Sequence, residues 1–302
     1  MGITIDGKNF AKEIEQRLIN EINNFRQEAG RPPGLAVIRV GDDPASGVYV
    51  KNKGKACERV GINNFNIHLD SNISENDLKN QIIKLNNDES VDGILLQLPL
   101  PLKFDKNHFL NIISPDKDAD GLHPLNLGKL IKGDFGPRSC TPAGVLALLK
   151  NNHIKIAGKK AVVIGRSILV GRPMAIILES ENATVTICHS HTRKLEDETK
   201  NADILVVAAG KPDLIDAELV KKNAVVIDVG IHRIPVLNEV TKETTYRLCG
   251  DVKFDDVLTK ASAITPVPGG VGPMTVSMLL VNTVSLWQSH CGLPSTIRDL
   301  LP

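Results

Sequence analysis

The chain has 302 residues, enough for two domains of ordinary size. Its 36 Lys and Arg nearly cancel 35 Asp and Glu, 42% of its residues are apolar and only 3% are aromatic. These values describe a globular protein and exclude a surface coated in basic charge or lined with stacking rings, so neither nucleic acid nor a membrane is an expected partner.

Phe10, Ile14, Leu18, Ile22 and Phe25 recur at helical spacing in a charged segment, which predicts an amphipathic helix. Gly34 to Gly41 follows a Pro-Pro break and reads as a buried strand. Pro44 to Val60 reads as a helix stopped by Gly61. A short strand follows at Phe65 to Leu69. Ser74-Glu-Asn-Asp77 resembles a capping box, with Asp in place of Glu or Gln, and opens a helix to about Asn86. Val91 to Leu98 is the next strand, ended by Pro99 and Pro101.

A second unit begins near residue 140, where Thr141-Pro142 suits the N-cap and first turn of a helix to about Lys150. Lys160 to Ile164 is a strand, Gly165 to Gly171 a turn into a helix, and Thr184 to Cys188 another strand. Ala202 to Ala209, Ala224 to Val229 and Ser262 to Thr265 continue the series, and Pro273 to about Ser289 is an apolar helix. Strands alternating with helical crossovers imply parallel sheets and an α/β class. No apolar run approaches the roughly 18 residues of a membrane span. The first residues lack the basic start and apolar stretch of a signal peptide. Cys57, Cys140, Cys188, Cys249 and Cys291 form no CxxC pair, so no disulfide framework or zinc site is signalled. A cytoplasmic protein without a bound metal is expected.

Five segments carry chemistry. Val162-Val-Ile-Gly-Arg-Ser-Ile-Leu-Val-Gly-Arg-Pro173 is strand, glycine turn and helix start, the arrangement that offers free N–H groups to phosphate. Only Gly165 and Gly171 match the dinucleotide fingerprint, so an ordinary βα turn explains it equally well. If the site is real, the following strand end, Thr186-Ile-Cys-His-Ser-His-Thr-Arg193, holds no carboxylate for a ribose hydroxyl. Arg166, Ser190 and Arg193 would instead receive a 2′-phosphate, which favours NADP over NAD; a solvated basic loop is the alternative. Tyr49 and Lys53 are four apart and share a helix face, where a partly buried Lys can serve as acid or base; simple packing is the competing explanation. Lys51 and Lys55 point elsewhere. Gln97 interrupts an apolar strand and needs partners. In Lys117-Asp-Ala-Asp-Gly-Leu-His-Pro124, Asp118 or Asp120 could be a cap, an acceptor for a nitrogen heterocycle or, least favoured, a metal ligand. Thr265-Pro-Val-Pro-Gly-Gly-Val-Gly-Pro-Met-Thr275 is a rigid loop whose Gly269, Gly270 and Gly272 allow close backbone approach to a ligand, with a cis X-Pro bond open to it.

Together, and over nearly the whole chain, these segments closely resemble the bifunctional methylenetetrahydrofolate dehydrogenase/methenyltetrahydrofolate cyclohydrolase family. The resemblance implies NADP-dependent oxidation of 5,10-methylenetetrahydrofolate to the methenyl compound, then hydrolysis to 10-formyltetrahydrofolate. It implies that Lys53 is the catalytic lysine, that Gln97 holds it in a useful state, and that Tyr49 lines and orients the folate. By the same match Asp120 pairs with the pterin nitrogens, Pro268, Gly269 and Gly270 lie near the folate, and Gly165, Arg166, Ser167, Ser190 and Ile231 line the NADP site. The implied architecture is a folate-binding α/β domain over residues 1–139, a Rossmann-like NADP domain over 140–273, a helix at 274–302 packed back on the first domain, and a ligand cleft between the two. A homodimer formed through the nucleotide domain is implied, and no formyltetrahydrofolate synthetase domain is expected.

Overall fold

A computed structural model describes residues 2–237 and 244–300. Along the chain come β1 (Ile3–Thr4), α1 (Gly7–Ala29), β2 (Gly34–Val40), α2 (Pro44–Val60), β3 (Asn63–Leu69), α3 (Glu75–Asn86) and β4 (Gly93–Leu96). The short helices α4 (Lys106–Leu110) and α5 (Pro124–Lys132) precede α6 (Cys140–Asn151). Then follow β5 (Lys160–Ile164), α7 (Gly171–Ser180), β6 (Thr184–Cys188), α8 (Leu195–Thr199), β7 (Ile204–Val207) and β8 (Val225–Asp228). β9 (His232–Leu237) and β10 (Thr244–Cys249) form a hairpin before α9 (Phe254–Leu258), β11 (Ala263–Ile264) and α10 (Val271–His290).

The elements gather into two compact units. One holds the chain up to Ala11 with Thr141–Thr275; the other holds Lys12–Cys140 with the chain from Val276 onward. The first eleven residues therefore go with the unit of the later strands, not with the N-terminal domain where they were expected. The reason is a short parallel pairing of Ile3 and Thr4 with Ala263 and Ile264.

In the unit formed by Lys12–Cys140 and the last helix, β3, β2 and β4 make a parallel sheet in that order. Parallel neighbours need crossovers, which α2 and α3 supply. β2 and β4 are almost wholly buried, as their unbroken Val, Ile and Leu runs require. The Asp43 side chain accepts the Ser46 N–H at 2.7 Å to start α2, Pro44 fits its first turn, and Gly61 at φ +87 ends it. A Cβ on Gly47 would stand 2.9 Å from the Arg39 guanidinium, and one on Gly54 would stand 2.8 Å from Asn64 Nδ2. These glycines are two helical turns apart and face the same way, toward side-chain ends from β2 and β3. Ser74 caps α3 by accepting the Asp77 N–H at 3.1 Å, and its hydroxyl donates to the Asp77 carboxylate at 2.7 Å.

α10 is buried along nearly all of its length, with Trp287 inaccessible. Asn282 donates to the carbonyls of Ala119 and Arg138 at 2.9 and 2.8 Å. At its far end His290 meets the fully buried carboxylate of Asp92 at 3.0 Å. Asp92 also receives both terminal nitrogens of Arg31, at 2.6 and 2.8 Å, and the Gly34 N–H at 2.8 Å. One carboxylate thus ties the start of β2, the approach to β4 and the end of α10.

The other unit is built on a parallel sheet in the order β1-β11-β8-β7-β5-β6. Its core joins Val162, Ile164, Leu205, Val207, Val226 and Ile264 from four strands. α6 starts two residues earlier than its sequence cap suggested: Thr141 lies inside the helix, and its hydroxyl pairs with that of Thr275 at 2.9 Å.

Candidate functional site

Lys53 lies on α2, half-buried, while its neighbours Lys51 and Lys55 are exposed. Its ammonium nitrogen donates to Gln97 Oε1 at 3.0 Å. Gln97 stands one residue beyond β4; its backbone N–H donates to the Ile38 carbonyl at 2.8 Å, and its Nε2 donates to the Leu98 carbonyl at 2.7 Å. The side-chain amide is thus fixed with its oxygen toward the lysine. Burial lowers the Lys53 pKa from the ordinary lysine range, against the opposing pull of Asp120, Cys140 and Cys57. Asp120 is in turn held above the usual carboxylate range, chiefly by burial and against the pull of Lys53. The Cys140 thiol is pushed well up by burial and by Asp120. A lysine whose pKa is lowered by burial therefore shares its surroundings with a carboxyl group and a thiol. Tyr49, one turn before Lys53, is 41% exposed.

The two aspartates that the residues alone left open, and of which the family resemblance picks Asp120, lie in different surroundings. Asp118 is buried, and its carboxylate accepts the His123 N–H at 2.8 Å and Asn126 Nδ2 at 2.9 Å, so it shapes the turn into α5. Asp120 is the one beside Lys53. Among the described residues no group of three or more His, Cys, Asp or Glu could hold a metal ion.

In the other unit the chain passes from β5 to β6 on one side, then crosses to β7 on the other. Open α/β sheets bind ligands at the carboxyl ends of the strands at such a switch point. Gly165 leaves β5 there at φ +121, with its N–H bonded to the Cys188 carbonyl at 2.8 Å. A Cβ on Gly165 would strike the Ala208 carbonyl, and one on Gly171 would strike the Gly165 carbonyl, so both glycines are needed to fold α7 tightly against the strand end. Ser167 Oγ accepts the Val170 N–H at 3.1 Å inside that turn. Arg166 and Ser190 are exposed, and His189–Arg193 lies beyond the same end of neighbouring β6. Ile231, 49% exposed, follows the same end of β8. The glycine cradle, the exposed guanidinium and the lack of a carboxylate over 189–193 fit a dinucleotide with a phosphate on its ribose. Gly269, at φ +107, belongs to this unit too, and its carbonyl accepts the Lys8 N–H at 3.0 Å; the preceding Val267–Pro268 bond is cis, as is Leu98–Pro99.

Each sequence-predicted group is thus assembled within a unit: Lys53, Gln97 and Asp120 in one, Gly165, Arg166, Ser167 and Ser190 in the other. The sequence reading did not find Cys140 beside the lysine, nor a buried carboxylate pair, Asp228 and Asp251, at the carboxyl end of the second sheet. A polar residue ending the apolar run Ala224-Val-Val-Ile-Asp228 was the available signal for the latter.

The class these units define is a two-part α/β enzyme, with a dinucleotide-binding sheet in one part and a half-buried lysine held by a glutamine beside an aspartate in the other. Residues 5–120 match the family model described as tetrahydrofolate dehydrogenase/cyclohydrolase, catalytic domain, and residues 139–291 the corresponding NAD(P)-binding domain. A bifunctional protein FolD of Prochlorococcus marinus (strain MIT 9211) is 62% identical over 302 residues, covering 100% of both chains. The solved bifunctional FolD of Campylobacter jejuni is 46% identical, with 96% of this chain and 99% of that one covered at a TM-score of 0.89. The Trypanosoma brucei methylenetetrahydrofolate dehydrogenase-cyclohydrolase, solved with NADP and an inhibitor, is 41% identical over 95% of this chain and 98% of that one, also at 0.89. The chain belongs to the tetrahydrofolate dehydrogenase/cyclohydrolase family.

Proposed function

We infer that this chain carries both activities of its family: it oxidises 5,10-methylenetetrahydrofolate with NADP⁺ and hydrolyses the methenyl product to 10-formyltetrahydrofolate. The observation that carries the reading is the half-buried Lys53, its pKa lowered, held by Gln97 at 3.0 Å beside Asp120. NADP⁺, when bound, supplies the hydride acceptor. Gly165, Arg166, Ser167, Ser190 and Ile231 bind and orient it, and Arg166 and Ser190 take the ribose phosphate. The first step needs alignment more than proton transfer, because the folate nitrogens push electron density toward the carbon that loses hydride.

The second step needs a base. Uncharged Lys53 takes a proton from the water that attacks the methenyl carbon and returns it to the ring nitrogen released as the ring opens, while the proton left on the new hydroxyl goes to solvent as the formyl C=O forms, which balances the positive charge of the methenyl cation. Gln97 accepts a hydrogen bond from the amine in either protonation state, so it fixes the nitrogen without adding a charge that would keep it protonated. Tyr49 lines the folate, Asp120 accepts hydrogen bonds from the pterin ring, and Pro268, Gly269 and Gly270 add backbone contacts. The enzyme works as a homodimer in the cytoplasm and supplies formyl groups for purine biosynthesis.

The test is a single spectrophotometric assay with methylenetetrahydrofolate, run with NADP⁺ and then with NAD⁺. NADPH formation, with NADP⁺ clearly preferred and little methenyl compound accumulating, is the expected result. No reduced nucleotide with either cofactor would overturn the reading.

A further inference from the structure

The carboxyl end of the nucleotide-binding sheet contains two acidic side chains with almost no access to solvent, Asp228 at 3% and Asp251 at 0%. Neither belongs to the glycine turn, and the reaction described above uses neither. Buried carboxylates are costly unless every lone pair is engaged, so their partners show what they hold in place. Asp251 Oδ2 accepts the N–H groups of Ala209 and Gly210 at 2.7 and 3.0 Å, in the loop that leaves β7. Its Oδ1 meets His232 Nε2 at 2.7 Å, at the first residue of the hairpin. Asp228 Oδ1 accepts the N–H groups of Gly230 and Asp251, both at 2.9 Å, and Oδ2 accepts that of Val252 at 2.9 Å. Its own N–H donates to Thr265 Oγ1 at 2.8 Å, where β11 leads into the Gly/Pro loop.

The fit is close. A Cβ on Gly230 would strike the Asp251 carboxylate, and one on Gly250 would strike that of Asp228. Two acidic groups thus gather the segments beyond β7, β8, β10 and β11 at the end of the sheet where a dinucleotide binds. Ile231 sits between two of the gathered residues, Gly230 and His232, and is itself left open to solvent. Burial pushes Asp228 up to about 6 despite its three amide bonds, so this arrangement is kept at some expense in stability.

We propose that Asp251, backed by Asp228, is a positioning residue for the dinucleotide, and that its bond to His232, together with those it accepts from Ala209 and Gly210, holds Ile231 and the Ala209–Gly210 loop in the shape that receives the cofactor. This rests on the reading that the sheet end binds NADP. It adds a determinant of cofactor affinity that lies outside the glycine turn and touches the cofactor only through the backbone it holds.

The experiment compares the full wild-type chain with His232→Leu, His232→Ala and His232→Asn. NADP affinity is measured by calorimetry, KM for NADP⁺ in the oxidation, and hydrolysis of supplied methenyltetrahydrofolate without nucleotide. Leu and Ala leave an Asp251 oxygen unpaired, so Kd and KM for NADP should rise roughly 5- to 100-fold, while nucleotide-free hydrolysis stays within about twofold. Asn can still donate through its amide and should restore most of the affinity. Unchanged NADP affinity in both Leu and Ala variants overturns the proposal, as does a parallel fall in hydrolysis, which would mark a purely structural role. A wild-type chain that binds no NADP would instead overturn the functional reading beneath it.

Discussion

Gln97 offers Lys53 a neutral oxygen at 3.0 Å, and that choice of amide over acid has a measurable consequence. A carboxylate at the same place would favour the ammonium form and raise the lysine pKa by roughly one to three pH units. A base works only when deprotonated, so the rising limb of hydrolysis against pH should move upward by a similar amount in Gln97→Glu, and neutral-pH hydrolysis should fall. An unmoved limb would mean that Lys53 is not the titrating base. The Tyr49–Lys53 spacing and the polar interruption at Gln97 were legible in the sequence because each is local. Which of Asp118 and Asp120 faces the lysine was not, since two residues apart in a turn they point to different surroundings. Cys140 was out of reach altogether: only the fold brings it to Asp120 across twenty residues of chain.

At the scale of elements, two glycines of α2 face side chains of the sheet. Gly54→Val puts a branched side chain where Asn64 already lies 2.8 Å from a bare Cβ position. Overpacking of this kind costs about 1–3 kcal/mol, read as a lower denaturant midpoint. An unchanged midpoint would show that the helix has room to spare. The Asp92 network makes a second prediction. Removing its carboxylate by Asp92→Ala leaves Arg31 and His290 without their shared partner and should cost roughly 3–5 kcal/mol, less whatever water recovers around the part-exposed Arg31. The hydrogen bonds from Arg31, His290 and Gly34 outweigh desolvation and depress the Asp92 pKa. Its contribution is therefore fully present above the unfolded aspartate pKa and is lost as the pH falls through the depressed native value. Acid denaturation of wild type should include this loss; the Ala variant should show a shallower acid limb.

The long elements were readable because each keeps one period. α2, α3, β5 and β6 match their expected spans, and β3 starts two residues earlier than expected. The β9–β10 hairpin escaped because β10 has little burial to impose alternation: Thr244 to Leu248 are all exposed, Pro235 interrupts β9, and Arg233 stacks over Tyr246 at 3.9 Å. β1 is two exposed residues long and carries no pattern at all. α5 was missed despite a clear signal, Pro124 at its first turn and Gly133 at φ +77 after its last.

At the scale of the whole molecule, the proposed function assigns two chemistries to two units: hydride transfer to the unit with the glycine turn, proton transfer to the unit with the lysine. The α/β class and the break near residue 140 follow from the alternation of strands and helices. The return of the first eleven residues to the later sheet does not, because a two-residue strand contributes too little pattern to show its partner. If the division of labour holds, the two activities are separable by one side chain. The most direct measurement follows NADPH formation and methenyl absorbance together in wild type and Lys53→Met. Wild type should form NADPH with little methenyl build-up. The variant should keep forming NADPH while the methenyl compound accumulates, its hydrolysis reduced on the order of 10²–10⁴-fold. Hydrolysis at the wild-type rate in Lys53→Met, in a folded protein, would contradict the account.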